Sequence, residues 1–310
     1  MNRRILERWR ALGEWWRSLL LAVAIIAGVH AVVVRFVVVE NISMYATLKP
    51  GDLLLVERWP VWTGFGRGAI AVFRDPLKDG APIWRRPLMV KRIAGMPGDR
   101  VHLERSSLWV NGAPAHTPPR ATTAHLVRLR AGTDGSQVRR LLDLPILSGA
   151  GVRSVLEAPL NDSLAALVRN LPGVLEVTPM RPATGAPRHI FPFSERFAWN
   201  GDNYGPITVP RRGDTLQVDA SNLPLYDRLL TVYEGQRITH SGDTLLLDGR
   251  RLDTYVVKQD YYFVLGDGLH NSSDSRYWGF VPEDHLVGRA RWVLTGIGSD
   301  GARTVPRRLW

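Results

Sequence analysis

A long apolar segment near the N-terminus constrains this chain more than any other feature of its sequence. The 22 residues from 18 to 39 include a single charged side chain, Arg35. A helix of that length, at about 1.5 Å per residue, would cross the roughly 30 Å hydrocarbon layer of a bilayer. Arginines are frequent before the segment, and positive charge favours the cytoplasmic side. We therefore expect a cytoplasmic tail at 1–17, a single transmembrane anchor at 18–39, and the rest of the chain on the outer face of a bacterial cytoplasmic membrane.

Two other interpretations of this segment stay open. A removable secretory signal has the same order of charges, although its apolar stretch is usually about 7–15 residues long. A buried helix of a soluble protein is the second alternative, because apolarity alone does not distinguish a core helix from a membrane helix.

Composition narrows the class of protein and its partners. The 310 residues are 45% hydrophobic, which is enough for one large domain or two smaller ones. The absence of cysteine excludes disulfides, thiolate catalysis and cysteine-bound zinc, and nothing in the sequence implies another metal or an organic cofactor. The net charge of +11 favours anionic partners. No run of five basic residues is present, so we expect membrane lipid and not nucleic acid.

Short apolar runs bounded by Gly, Pro or Asp predict a mainly β, antiparallel fold. The predicted strands are 53–56, 69–73, 89–93, 101–103, 108–110, 261–265 and 290–294. Residues 101–103 and 108–110 frame a polar turn closed by Asn111-Gly112, as in a hairpin. Helices are predicted at 136–142 and at 162–171, the second opened by an Asp/Ser cap. The expected domains are a first part of a catalytic β core at 40–115, an inserted subdomain at 116–254, and a second part of the core with a C-terminal tail at 255–310.

Ser43 and Lys91 are the candidate catalytic residues. Ser43 follows the apolar segment in a stretch with turn chemistry, and turns can expose a hydroxyl. Lys91 lies at the centre of an apolar predicted strand, where one face must point into the protein. Burial disfavours the charged amine and lowers its pKa, so that the amine can take a proton from a hydroxyl. The pair predicts a membrane-tethered serine hydrolase with a lysine base.

Two further segments could support this chemistry. The Ser43 backbone amide and the Asn41 side-chain amide are close enough in sequence to stabilise an oxyanion, although Asn41 could equally serve as a turn former. In the polar loop after residue 265, an ion pair between Asp274 and Arg276 would brace the loop. Ser272 could hold the lysine amine by accepting its hydrogen bond.

Together these motifs resemble the bacterial type I signal peptidases, which are membrane-anchored Ser/Lys proteases that remove signal peptides from exported proteins. The resemblance is carried by ordered segments spread over residues 18–112 and 200–295. They are Ser43-Met44-Tyr45-Ala46-Thr47-Leu48, Pro50-Gly51-Asp52, Lys91-Arg92-Ile93, Gly95-Met96-Pro97-Gly98-Asp99, Leu108-Trp109-Val110-Asn111-Gly112, Asn203-Tyr204-Gly205-Pro206, Gly266-Asp267, Asn271-Ser272, Asp274-Ser275-Arg276 and Trp278-Gly279-Phe280-Val281-Pro282. The insertion from about 115 to 200 has little that matches.

The resemblance implies a set of roles. Ser43 would be the nucleophile and Lys91 the general base, with Ser272, Asp274 and Arg276 in support. It implies substrate contacts at Ile42, Met44 and Val90. The substrate would be a preprotein with a signal peptide and small residues of the Ala-x-Ala type before the scissile bond.

Departures from the family pattern keep other functions open. The family usually has proline where Ala46 stands, a hydroxyl residue where Asn41 stands, and Asn-Arg-Asp at 268–270. A catalytically weakened relative that binds exported chains or scaffolds a secretion complex is therefore an alternative. A self-cleaving Ser/Lys repressor and a Ser-His-Asp site using His270 are two further ones.

Overall fold

The computed structural model describes residues 13–142, 144, 154–180, 189–242, 244–296 and 304–309. The helices of four or more residues are α1 Glu14–Val32, α2 Pro60–Thr63, α3 Ser136–Leu141, α4 Asp162–Arg169, α5 Leu223–Arg228, a π-helical turn Leu229–Tyr233 and α6 Ser275–Trp278. Single 3₁₀ turns lie at Ile83–Arg85, Leu269–Asn271 and Glu283–His285. The strands are β1 Val34–Val38, β2 Leu53–Glu57, β3 Ile70–Arg74, β4 Leu88–Gly95, β5 Arg100–Glu104, β6 Ser107–Val110, β7 Ala113–Pro114, β8 Thr123–Leu129, β9 Val155–Leu160, β10 Val174–Pro179, β11 Tyr204–Thr208, β12 Thr215–Gln217, β13 Ile238–Ser241, β14 Thr244–Leu247, β15 Arg250–Arg251, β16 Thr254–Val256, β17 Tyr261–Leu265, β18 Val281–Pro282, β19 Leu286–Thr295 and β20 Arg307–Arg308.

The largest sheet positions the candidate residues. Its strand order is β1-β2-β19-β3-β4-β17-β18, with β20 paired to β19, and every neighbouring pair is antiparallel. Lys91 lies opposite Ala71 in the pairing of β4 with β3. Alternate side chains of β2 and β3, such as Leu54, Val56, Ile70 and Val72, are fully buried in one hydrophobic cluster under this sheet. The predicted antiparallel β fold is confirmed.

A second sheet, of order β11-β5-β6-β7, stands beside the first. The two sheets approach each other closely at Gly95. A Cβ at this position would lie 2.7 Å from Val101 Cγ1 and 2.9 Å from Val209 Cγ2. Strand β11 comes from inside the predicted insertion at 116–254, yet it pairs with β5 of the predicted first part of the core. The predicted domain boundaries themselves stay predictions.

Residues 122–142, 144 and 154–180 form a small unit that we call the three-stranded subdomain. Its sheet has the order β10-β8-β9, and α3 and α4 connect its strands. Asn161 caps α4 by accepting a hydrogen bond from the Leu164 N–H, a role that the sequence had suggested for Asp162 and Ser163. Helices α3 and α4 end at Leu141 and Arg169, slightly before the predicted ends. The unit has its own buried cluster, which includes Val127, Val138 and Val168.

The prediction of one continuous helix over 18–39 is wrong at its C-terminal end. Helix α1 ends at Val32, and residues 34–38 form β1, which pairs with β2 from Val34↔Glu57 to Val38↔Leu53. The run of β-branched valines explains the difference, since such residues pack well in strands. Within the described part of the chain, no helix combines the length and apolarity needed to cross a membrane.

The predicted hairpin of residues 101–103 and 108–110 is confirmed, but the place of Asn111-Gly112 in it needs a correction. Strands β5 and β6 are joined at Arg105 and Ser106, which both have positive φ values of 49° and 69°. Asn111 and Gly112, with φ values of 54° and 82°, instead turn β6 into β7. Two successive positive φ values are what a type I′ turn requires, and Asn-Gly is the favoured pair for it.

Candidate active site

Ser43 lies in the loop between β1 and β2. The base of this loop is closed by two hydrogen bonds, from the Val39 N–H to the Asp52 carbonyl at 2.9 Å and from the Gly51 N–H to the Val39 carbonyl at 2.8 Å. Met44 and Leu48 are buried in the cluster under the main sheet. Ser43 itself is half-buried, so the loop is fixed from below while the hydroxyl remains accessible.

Lys91 meets Ser43 directly. Its Nζ donates a hydrogen bond to Ser43 Oγ at 2.6 Å, and the residue is only 3% exposed. Burial lowers the pKa of Lys91 from 10.5 to about 8, against the opposing charges of Asp274 and Asp75, which raise it. The lysine predicted from its apolar neighbours is therefore buried, in contact with the serine, and neutral in a sizeable fraction of molecules near pH 8.

The predicted ion pair in the loop after β17 is present and has no solvent exposure. Arg276 Nη2 lies 2.8 Å from Asp274 Oδ2, and its Nε donates to Asp274 Oδ1 at 2.9 Å. Asp274 also accepts the Gly266 N–H at 3.0 Å, while Arg276 donates to the carbonyls of Gly201 and Leu269. Such complete hydrogen bonding is what a buried charged pair requires, and it fixes the loop as the sequence predicted.

Ser272 is close to this site without forming the predicted hydrogen bond to the lysine. Its Oγ is buried and has no hydrogen-bond partner among the described residues. A Cβ placed on Gly266 would lie 2.2 Å from Ser272 Oγ and 2.4 Å from the Ser43 carbonyl oxygen. Glycine is required at 266 by this close approach, and the amine-positioning role of Ser272 remains a prediction.

A second buried carboxylate, which sequence reasoning had not singled out, connects the serine loop to the lysine strand. Asp267 accepts two hydrogen bonds from Arg92, at 2.8 and 2.6 Å, and a third at 2.5 Å from the Thr47 hydroxyl. The Gly268 N–H donates to the Ser43 carbonyl at 3.0 Å. Three segments, at 42–48, 91–92 and 266–268, are therefore held together around the Ser43–Lys91 contact. Most of these residues belong to the motifs that carry the family resemblance, but the spacing of the motifs does not predict the contacts between them.

His270 is engaged away from Ser43. Its Nδ1 accepts the Ala124 N–H at 2.8 Å, so the proton of the neutral ring lies on Nε2, which is 2.6 Å from Asp202 Oδ1. Both ring nitrogens are occupied by these contacts, and the structure therefore gives no support to a Ser-His-Asp site at Ser43.

An open cleft of about 360 Å³ gives access to the serine and the lysine. One wall is formed by residues 36–40, at the end of β1 and directly after it. The other wall is formed by Pro87 and the first half of β4. Asn41, Met44 and Val90 line it as well, whereas Ile42 is absent from the lining and packs against the three-stranded subdomain. In the described residues, β17 pairs with β4 only as far as Arg92. The backbone of residues 88–91 is therefore unpaired on the side away from β3.

Asn41 and Ser43, which both line the cleft, carry amide hydrogen-bond donors. The Ser43 backbone N–H and the side-chain amide of exposed Asn41 donate to none of the residues that the structure describes. Over those same residues, no group of three or more His, Asp or Glu side chains is arranged to hold a metal ion. The site thus consists of a hydroxyl, an amine of lowered pKa and free amide donors, which is the equipment of a serine hydrolase with a lysine base.

Comparison with known proteins agrees with this class. The family model described as signal peptidase, peptidase S26, matches residues 12–141 and 205–295, which is well over half of the chain. The chain belongs to this family. The model thus matches both walls of the cleft and the loop with Asp267, Asp274 and Arg276, and it leaves out most of the three-stranded subdomain.

Individual relatives match over shorter stretches. Signal peptidase I of Haemophilus influenzae is 44% identical over 50 residues, which is 16% of this chain and 14% of that protein. Signal peptidase I U of Bacillus subtilis is 32% identical over 102 residues, 33% of this chain and 51% of the relative. Signal peptidase I of Buchnera aphidicola is 55% identical over 40 residues, 13% of each chain. The chain thus spans between 13% and 51% of the length of these relatives.

Proposed function

We propose that this protein is a serine endopeptidase that removes N-terminal signal peptides from exported preproteins, with Ser43 as nucleophile and Lys91 as general base. The observation that carries the proposal is the 2.6 Å contact between the buried Lys91 amine and Ser43 Oγ at the bottom of an open cleft. Membership of the signal peptidase family supports both the reaction and the substrate class.

The contact supports the following chemistry. Neutral Lys91 accepts the hydroxyl proton as Ser43 Oγ attacks the scissile carbonyl, and the carbonyl oxygen becomes an oxyanion. Lys91 then gives the proton to the departing amine, which leaves an ester on Ser43. A water molecule, deprotonated by the same amine, hydrolyses that ester and restores the hydroxyl. The lowered pKa of Lys91 matches this cycle because the amine must be neutral at its start and protonated after the first transfer.

The amide donors of Ser43 and Asn41 would stabilise the oxyanion in this mechanism. We assign this role to the Ser43 N–H and the Asn41 side chain. The loss of one such donor lowers the rate about 10²–10³-fold in other serine hydrolases. The buried pair of Asp274 and Arg276 supports the site indirectly, because it holds the Gly266 backbone against Ser43.

An extended peptide fits the cleft. The unpaired backbone of residues 88–91 offers hydrogen-bonding groups to a strand laid beside β4. Side chains of such a strand alternate, so that every second one points toward the floor formed by Met44 and Val90. The floor lies close to the bound backbone and favours small side chains at those positions. Ile42, which packs elsewhere, contacts the substrate only indirectly in this arrangement.

Attachment to a membrane is the second part of the proposal. Large apolar side chains of α1 are exposed, among them Leu21, Ile25 and Ile26 at 56–67%, with Trp15 and Trp16 at the start of the helix. An exposed apolar surface of this kind marks an interaction site, and arginines before it favour anionic headgroups. We propose contact between α1 and lipid, with the catalytic cleft on the outer face. Extraction of membranes at alkaline pH and labelling of single introduced cysteines from each side would distinguish a single-pass anchor from a peripheral helix.

The enzymatic proposal is tested by preprotein processing. Purified protein is incubated with a preprotein, and the cleaved bond is located by mass spectrometry. Ser43→Ala and Lys91→Ala should each abolish cleavage at the signal-peptide boundary, whereas the exposed controls Ser107→Ala and Lys78→Ala should retain it. Cleavage that survives either site substitution would refute the assigned mechanism.

The same assay separates the alternative function. If the wild-type protein captures the preprotein in a stoichiometric complex without product, the chain is a binding homologue and the peptidase proposal fails.

A further inference from the structure

The nucleophile loop is held between two hydrophobic cores. Met44 and Leu48 pack into the cluster under the main sheet. Tyr45, between them in sequence, is 3% exposed and belongs to the buried cluster of the three-stranded subdomain, against which Ile42 and Ala46 also pack. Met44, after Ser43, therefore packs on the main sheet, whereas Ile42, before it, packs on the three-stranded subdomain.

A hydrogen bond strengthens the attachment to the subdomain. The Tyr45 hydroxyl donates to the backbone carbonyl of Leu142, directly after α3. That carbonyl lies at a helix end, where the last carbonyls lack partners within the helix. The Tyr45 side chain thus connects the loop of Ser43 to the end of α3, at Leu142, which is 97 residues away along the chain.

The subdomain is also attached to the loop that follows β17. The Thr122 N–H donates to the Asp267 carbonyl at 2.8 Å, and the Leu269 N–H donates to the Thr122 carbonyl at 3.0 Å. Two residues further on, the Ala124 N–H donates to His270. The subdomain therefore contacts both segments that surround the Ser43–Lys91 pair.

We propose that the three-stranded subdomain positions Ser43 against Lys91, with Tyr45 as the positioning residue that transmits its packing to the nucleophile loop. The inference rests on the assignment of Ser43 and Lys91 to catalysis. The geometric demand is strict, because a displacement of about 1 Å at a reacting group costs about 10²-fold in rate. The family model covers β8 and α3, beside which these contacts lie, and leaves β9, α4 and β10 of the subdomain unmatched.

Loss of this positioning has a signature that a loss of stability lacks. If the loop moves away from β4, water reaches the Lys91 amine and its pKa rises from about 8 toward 10.5. The other charged groups near the amine are Asp274, Asp75 and Glu40, with Arg92 bound to Asp267. They lie outside the three-stranded subdomain, so their charges stay the same when it is altered.

The first test uses two substitutions of Tyr45. Tyr45→Ala removes both the packing and the hydrogen bond, and should lower kcat about 100-fold with KM changed by less than about threefold. Its activity should rise with pH beyond the point where the wild type levels off. Tyr45→Phe keeps the packing and removes the hydroxyl, so we expect a loss of at most about tenfold and a smaller alkaline displacement of the profile.

The second test alters the subdomain at a distance from the site. Val138→Ala, on α3, opens a small cavity in the buried cluster of the three-stranded subdomain. Val257→Ala opens one in the separate buried cluster around β5 and β11. Both should lower the melting temperature, but only Val138→Ala should displace the pH profile. If both variants lose stability and keep the wild-type profile, or if Tyr45→Ala does so, the positioning role is refuted.

A measurement without substrate separates this inference from the proposed function. The chain has four lysines, so labelling with an amine reagent followed by mass spectrometry reports the pKa of Lys91 individually. We expect a value near 8 in the wild type and a higher value in Tyr45→Ala and Val138→Ala. Unchanged labelling in both variants refutes the inference. If the two variants show the higher pKa of Lys91 while the wild-type protein cleaves no preprotein, the inference is supported and the proposed function alone is refuted.

Discussion

Replacement of Lys91 by methionine should abolish catalysis and increase stability. Methionine has nearly the length and volume of the lysine stem but carries no charge, so it can occupy the same buried position on β4. The cost of burying the lysine is visible in its pKa, which burial lowers from 10.5 to about 8. A base whose pKa falls on folding binds its proton less well in the folded state, and below pH 8 the protein must still hold that proton.

The magnitude follows from the size of the pKa change. At about 1.4 kcal/mol per pH unit, a change from 10.5 to about 8 corresponds to roughly 3 kcal/mol of destabilisation below pH 8. The penalty declines as pH rises from 8 to 10.5 and disappears above it, where the lysine is neutral in both states. The variant also loses the hydrogen bond to Ser43, worth about 1 kcal/mol. We therefore expect Lys91→Met to gain about 2 kcal/mol at pH 7 and to lose this advantage by pH 10.5.

Guanidinium unfolding of the wild type and the variant, at pH 7 and at pH 10.5, measures this difference. Lys78→Met serves as the control, because Lys78 is exposed and its replacement should change stability by less than about 0.5 kcal/mol. An advantage of Lys91→Met that is the same at both pH values would show that it comes from packing and not from the buried charge. A variant less stable than the wild type at pH 7 would refute the reasoning outright.

Three further outcomes are expected. Below pH 8, kcat/KM should rise about tenfold per pH unit as Lys91 loses its proton and should level off above pH 8, and a flat profile from pH 5 to 9 would exclude a lysine base. Arg276→Met should lower stability by about 3–5 kcal/mol in urea unfolding, since it leaves the fully buried Asp274 carboxylate unpaired, and a change below about 1 kcal/mol would show that this pair is dispensable. Gly266→Ala should reduce processing by about 10²-fold because its Cβ would displace the catalytic loops, while Gly80→Ala, which has open space around it, should retain wild-type processing.

The sequence predicted the site better than its surroundings, and the reason is chemical. Lys91 shares one face of its strand with the apolar Met89 and Ile93, so the local pattern predicts its burial. The ion pair between Asp274 and Arg276 can be predicted without the fold, because the two residues are only two positions apart in the sequence. The contact of Tyr45 with Leu142 joins residues far apart in sequence, and no local pattern specifies it.

The end of the apolar segment shows the opposite limit. Residues 34–38 are apolar enough for a membrane helix and β-branched enough for a strand, so the sequence alone does not decide between them. Pairing with β2 decides, because it supplies hydrogen-bond partners for the backbone groups of β1 that face β2. The Asn111-Gly112 pair was assigned to the hairpin of β5 and β6 because Asn-Gly is a strong hairpin signal, although in the structure it joins β6 to β7.

Only Val33 separates the end of α1 from the start of β1. Its carbonyl accepts a hydrogen bond from the Arg58 N–H at 2.9 Å, so this junction has little freedom to bend. A change in the tilt of α1 would therefore act on β1 and on the opening of the cleft that β1 borders. The thickness and fluidity of the lipid or detergent around α1 would then affect the size of the side chains that the cleft accepts. Cleavage rates of the same protein should therefore differ between detergents.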